Sequence, residues 1–93
     1  MRDRVTKEKI QKYRTITAKA IKIAKSSVVK GKEKEAKEII EMVSNYLSDS
    51  EYFERNRDLV NAFAALSYAH GWLDAGVRLD IFDVKDNSLF MIK

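Results

Sequence analysis

Leu59-Val60-Asn61-Ala62-Phe63-Ala64-Ala65-Leu66-Ser67-Tyr68-Ala69-His70-Gly71-Trp72-Leu73-Asp74-Ala75-Gly76-Val77-Arg78-Leu79 is the stretch on which the fold turns. Leu59, Ala62, Phe63, Leu66, Ala69, His70, Leu73 and Val77 recur at spacings of three and four, the signature of one helix face. Ala64, Ala65, Tyr68, Trp72 and Ala75 leave the far side of the same helix apolar as well. A helix that is hydrophobic most of the way round is covered on more than one side. Two other helices can cover one of those sides. Tyr68 and Trp72, at i and i+4 and so neighbours along the helix, need a further cover: the tail of this chain or a second copy of it.

Upstream, a second helix is predicted from about Lys32 to Arg55, with Ala36, Ile39, Ile40, Val43, Tyr46, Leu47, Ser50 and Phe53 on one face. Glu33, Glu35 and Glu38 near its start complement the positive end of the helix dipole. Asn56-Arg57-Asp58 offers a break, and Asn56 or Asp58 an N-cap for the third helix. A first helix is predicted over about Asp3 to Val29 on the stripe Ile10, Tyr13, Thr17, Ala20, Ile21, Ala24 and Val28, with Gly31 as its C-cap. Its solvated face carries Arg4, Lys12, Arg14, Lys19, Lys22 and Lys25. Downstream, Ile81-Phe82 with Val84, and then Leu89-Phe90-Met91-Ile92, flank Lys85-Asp86-Asn87-Ser88, a turn signal compatible with a small hairpin. A lone hairpin is marginal in water, so it or an extended equivalent should lie on the third helix and shield part of its outer face. The expected fold is all-α: an antiparallel three-helix bundle with a short C-terminal apolar tail or hairpin, a single domain over residues 1–93.

Composition narrows the functional classes. With no proline and only three glycines, long helices are favoured, and with no cysteine there are no disulfides, thiolate nucleophiles or cysteine-held zinc. No apolar run approaches the ~18 residues of a membrane span, and Met1-Arg2-Asp3-Arg4 leads into charged sequence rather than a signal-peptide core. A cytoplasmic location without membrane insertion is the expectation. Charge is unevenly spread: residues 1–37 hold 13 Lys or Arg against 4 Asp or Glu, whereas residues 38–93 hold 5 against 10. Such asymmetry attracts a polyanion to the basic end, or pairs one copy's basic region with another's acidic region.

Candidate chemistry is sparse. His70 and Asp74 stand one turn apart, so imidazole and carboxylate can meet, and Tyr46 and Asp49 are the residues of the second helix that would complete a polar site with them. A lone histidine on an apolar face is more often a core group satisfied by its neighbour, and tyrosines at helical spacing are more often rim residues with wet hydroxyls. Gly71 costs about 1 kcal/mol relative to alanine inside a helix and needs a reason. With Ala64 and Ala75 it forms a narrow small-residue strip, open either to the tail or to a helix of a second copy. Lys12, Lys19, Lys22 and Lys25 are candidate contacts for RNA or DNA phosphates, although no aromatic row accompanies them for base stacking. No phosphate loop, nucleophile elbow or zinc motif is present.

Tyr68-Ala69-His70-Gly71-Trp72-Leu73-Asp74-Ala75-Gly76, preceded by Tyr46-Leu47-Ser48-Asp49-Ser50-Glu51-Tyr52-Phe53, resembles the DUF357 family, an uncharacterised archaeal helical domain. The resemblance implies a three-helix bundle, an archaeal origin and no assigned activity, so it transfers no catalytic residues. It associates glycine with the position after Arg78-Leu79, where this chain has Asp80. The expectation is a non-enzymatic interaction module without metal or cofactor. It self-associates through helix three, as a homodimer or with another protein, at a contact formed by Tyr68, Gly71, Trp72 and Ala75. Nonspecific nucleic-acid binding through helix one is the alternative.

Overall fold

The computed structural model describes residues 4–85. Three helices account for most of them: α1 (Lys7–Lys25), α2 (Glu33–Arg55) and α3 (Leu59–Arg78), with no regular strand among the described residues. Short connections force each helix to run back along the last, and the bundle is elongated, 42 × 25 × 16 Å.

The apolar stripes meet as periodicity requires. α1 buries Ile10, Thr17, Ala20, Ile21 and Ala24, and α2 buries Ala36, Ile39, Val43 and Ser50. The core has two clusters along the bundle. Near the start of α1, Ile10 packs with Ala62 and Leu66. At the other end, Ala20, Ile21 and Ala24 pack with Ile39, Val43, Ala69, Leu73 and Val77. In α3 the sequence reading needs one correction: Ala65 is 5% exposed and belongs to the interior, not to the far side. Small Ala65, Ala69 and Gly76, all buried, give α3 a slender inner face that lets its neighbours come close.

Helix ends carry the other differences. α1 stops at Lys25, not near Val29, and Gly31 caps no helix. The hydroxyls of Ser26 and Ser27 both donate to the Ile23 carbonyl (3.0 and 2.7 Å), so polar side chains compete for the last turn. Past them the backbone finds partners in the tail instead: the Val29 N–H donates to the Ile81 carbonyl (2.9 Å) and the Asp83 N–H to the Ser27 carbonyl (2.7 Å). Gly31, at φ +92°, turns the chain into α2.

α2 and α3 both end in a Schellman arrangement. The Arg57 N–H donates to the Glu54 carbonyl and the Asp58 N–H to the Phe53 carbonyl; the Asp80 and Ile81 N–H groups likewise reach the Val77 and Gly76 carbonyls. The left-handed residue of each is Arg57 or Asp80, both at φ +61°, in the place glycine usually takes. Asp80 thus adopts the left-handed conformation that glycine takes without strain. Asp58 is the N-cap of α3, its Oδ1 accepting from the Asn61 N–H (3.2 Å).

The described tail lies against α3, as the sequence reading has it, but its aromatic anchor packs at the C-terminal end of the helix and not on the Tyr68 and Trp72 rings. Ile81, Phe82 and Val84 are buried, with Phe82 bridging to Val28 and Ile81 lining a groove together with Trp72, while Tyr68 stays 60% exposed and Trp72 42%. The reason for the anchor's seat is Gly76: an ideal Cβ built there would lie 2.5 Å from Phe82 Cε2 and 3.3 Å from Ile39 Cδ1, so the ring fills the hollow that glycine leaves. The proposed hairpin turn and Leu89-Phe90-Met91-Ile92 lie outside the described residues.

Candidate functional site

α3 presents an outward face with no charge over most of its length. Its exposed residues before Arg78 are Val60, Asn61, Ser67, Tyr68, Gly71, Trp72 and Ala75. Tyr68 is 60% exposed, Trp72 42% and the flanking Leu79 67%. Tyr68 leans on Tyr46 of α2 at 5.6 Å between ring centroids, which holds one edge of the face. Along the same α2 side a groove of about 490 Å³ runs between α2 and α3. Its floor is Ile39, Met42, Trp72, Leu79 and Ile81, and Glu35, Glu38 and Glu41 stand along its α2 side. Ile81, placed there by the turn at Asp80, is the tail's contribution to this surface.

Gly71 sits in the middle of this face with nothing within 4 Å of the Cβ it lacks. Close approach of the described tail, one of two explanations open to the sequence, therefore happens at Gly76 and not at Gly71. Tyr68, Gly71, Trp72 and Ala75 do come together, around a shallow depression they share with Ser67.

The expected polar site is only partly assembled. His70 Nε2 stands 3.8 Å from Asp74 Oδ1, one turn away on the same helix, and both side chains are partly exposed. Tyr46 turns to Tyr68 instead, and Asp49 is exposed on α2. Among the described residues no group of three or more His, Asp or Glu side chains could hold a metal ion.

Lys12, Lys19, Lys22 and Lys25 are all exposed. Between Lys7 and Lys25, α1 carries seven Lys or Arg and a single acid, Glu8. Lys19 and Lys22 border a shallow depression with Gln11, Arg14, Thr15 and Ala18. Arg14 departs from the sequence reading. Rather than lying on the solvated face it reaches α2, where Nη1 donates to Glu54 Oε1 and Nε and Nη2 donate to Ser50 Oγ (3.3 and 3.1 Å). Ser50, fully buried, donates its own hydroxyl hydrogen bond to the Leu47 carbonyl (2.7 Å). A serine small enough to admit the guanidinium explains the insertion.

Arg14 also borders a depression of about 640 Å³ with Lys7, Glu51, Glu54, Arg55, Arg57 and Leu59. Sequence reasoning took Asn56-Arg57-Asp58 as a break and missed this cluster. The antiparallel order of α1 and α2, which sets the start of one beside the end of the other, was the signal that could have found it.

No helix of the described residues is long and apolar enough to cross a membrane. No curated protein and no solved structure matches the chain. The model of one family, described as a protein of unknown function, matches residues 12–82, a span that takes in most of α1, all of α2 and α3, and the tail as far as Phe82. The chain belongs to the DUF357 family.

Proposed function

We propose that this domain is a non-enzymatic interaction module that pairs with a second copy of itself through the outer face of α3. The observation that carries the reading is the run of exposed residues from Val60 to Ala75 without a charge. Charged residues are what solvated helix faces ordinarily carry, and their depletion with aromatic enrichment marks the centre of protein interfaces. Gly71 adds a second reason. A glycine inside a helix costs about 1 kcal/mol, and no neighbour in the described fold occupies the space it leaves. A helix crossing at Gly71 would use that space, with Tyr68 and Trp72 packing on either side. A twofold pairing is self-complementary, so a single strip of small residues serves both copies.

Sedimentation tests the reading. The wild type should be a dimer at micromolar concentration and Trp72→Asp a monomer, since a carboxylate desolvated in an apolar contact is costly. A monomeric wild type would overturn the proposal. Gly71→Ala separates the two uses of that position. The substitution should stabilise the isolated bundle by up to about 1 kcal/mol, worth ~4–8 °C in Tm for a domain of this size, while weakening association. Association unaffected by the added methyl would remove Gly71 from the seam.

A second reading rests on α1, whose one-signed face suits nonspecific binding to RNA or DNA through Lys12, Lys19, Lys22 and Lys25. Fluorescence anisotropy at low salt should then show binding that weakens steeply as salt rises, and that Lys19→Glu with Lys22→Glu abolishes. Absence of any shift with either nucleic acid would exclude it.

A further inference from the structure

The depression where α1 begins and α2 ends holds more positive charge than the fold has use for. Four cations border it, Lys7, Arg14, Arg55 and Arg57, against the carboxylates of Glu51 and Glu54. Glu54 is committed to Arg14. Among the described residues Lys7, Arg55 and Arg57 enter no salt bridge. Like charges gathered around one hollow repel, so the bare arrangement is unfavourable and a bound anion would relieve it. Four cations against two carboxylates leave two positive charges, which a dianion would balance.

The backbone points the same way. Arg57 occupies the left-handed position of the α2 Schellman turn at φ +61°, where glycine would be unstrained. The bonding of the turn needs only main-chain groups, donated by Arg57 and Asp58 themselves, so nothing in the turn calls for an arginine side chain. Strain of this kind at a residue lining a hollow is a pointer to what the residue does there. Arg14 is meanwhile held in place by Ser50 and Glu54, with three of its five N–H donors engaged and two left over. Planar guanidinium groups around a hollow of about 640 Å³ match the oxygens of a phosphate, which they bind in pairs of parallel hydrogen bonds.

We infer that Lys7, Arg14, Arg55 and Arg57 form a binding site for a phosphate-bearing anion at the α1–α2 end of the bundle. The site shares no lining residue with the groove beside α3, and it stands or falls independently of self-association.

Pyrophosphate titrated into the full chain at low ionic strength, followed by calorimetry, tests it. One saturable site is expected. Arg57→Gly should weaken binding about tenfold or more, the loss expected for a charge-assisted contact, while raising Tm by a few degrees because glycine fits the turn. The variant therefore cannot lose binding by failing to fold. Arg57→Lys, which keeps the charge but not the fork, should fall between. Binding that Arg57→Gly leaves unchanged, or heat that grows without saturation and is reproduced by chloride at equal ionic strength, would overturn the assignment. Two further arms identify the source of the phosphate. Pyrophosphate that binds while a DNA oligonucleotide neither binds nor competes points to a small free ligand. A DNA oligonucleotide displaced by pyrophosphate points to a nucleic-acid backbone.

Discussion

Phe82→Ala should destabilise the domain by about 3–5 kcal/mol, the range for deleting a buried aromatic ring. Total stabilities of small domains run to about 5–15 kcal/mol, so the variant is expected to be near the edge of folding. Phe82 is 1% exposed and the largest fully buried side chain among the described residues. Its removal does more than open a cavity. The Val29 and Asp83 N–H groups find their partners only while the tail lies beside residues 27–29, and the ring is the anchor that keeps it there. If the tail lifts, Ile81 and Val84 are exposed with it, and the native state starts from a larger surface. Urea denaturation should thus show a lower midpoint and also a smaller slope, because less new surface appears on unfolding. A midpoint unmoved by the substitution would mean that the ring contributes no burial.

The helices were legible because their information is local. Ala36, Ile39, Val43 and Ser50 fall on one stripe by spacing alone, and all four are buried. Residue type offered Asn56 or Asp58 as the start of α3, and Asp58 caps it. What the sequence hid depends on partners far along the chain. Val28 continues the stripe of α1 in perfect register, yet it lies beyond the helix because the tail competes for its backbone. Arg14 reads as one more cation on a basic face, and only the approach of Ser50 and Glu54, 36 and 40 residues away, draws it inward. The α3 face was legible as a surplus of apolar residues, but not its limits. Ala65 turned inward, and the described part of the tail seats Phe82 at Gly76, near the end of α3. Periodicity says that a side is apolar; it does not say which of several apolar segments will reach it.

The two glycines of α3 make the same point in energetic terms, and they should respond in opposite directions to the same substitution. Gly71→Ala meets no atom within 4 Å, so it gains helix propensity in the isolated bundle. Gly76→Ala would drive a methyl to 2.5 Å from the Phe82 ring, a separation real Cβ atoms do not tolerate, with Ile39 Cδ1 at 3.3 Å closing off retreat on that side. Overpacking of this kind costs about 1–3 kcal/mol, more than the propensity gain returns. Phe82 is confined because its backbone is tied across residues 27–29, so the ring cannot step aside without loosening the tail. Gly76→Ala should therefore lower the thermal midpoint in the wild type yet be neutral or stabilising when Phe82 is already alanine, since the obstructing ring is gone. That change of sign is a coupling between two positions in contact, and a double-mutant cycle by chemical denaturation reads it directly. Additive effects would show that the helix tolerates no side chain at residue 76 for reasons unrelated to the ring, and the account of how the tail is held would have to be given up. A coupling of the expected sign ties a residue in the family's shared span, glycine at the inner face of α3, to the aromatic residue on which that span ends.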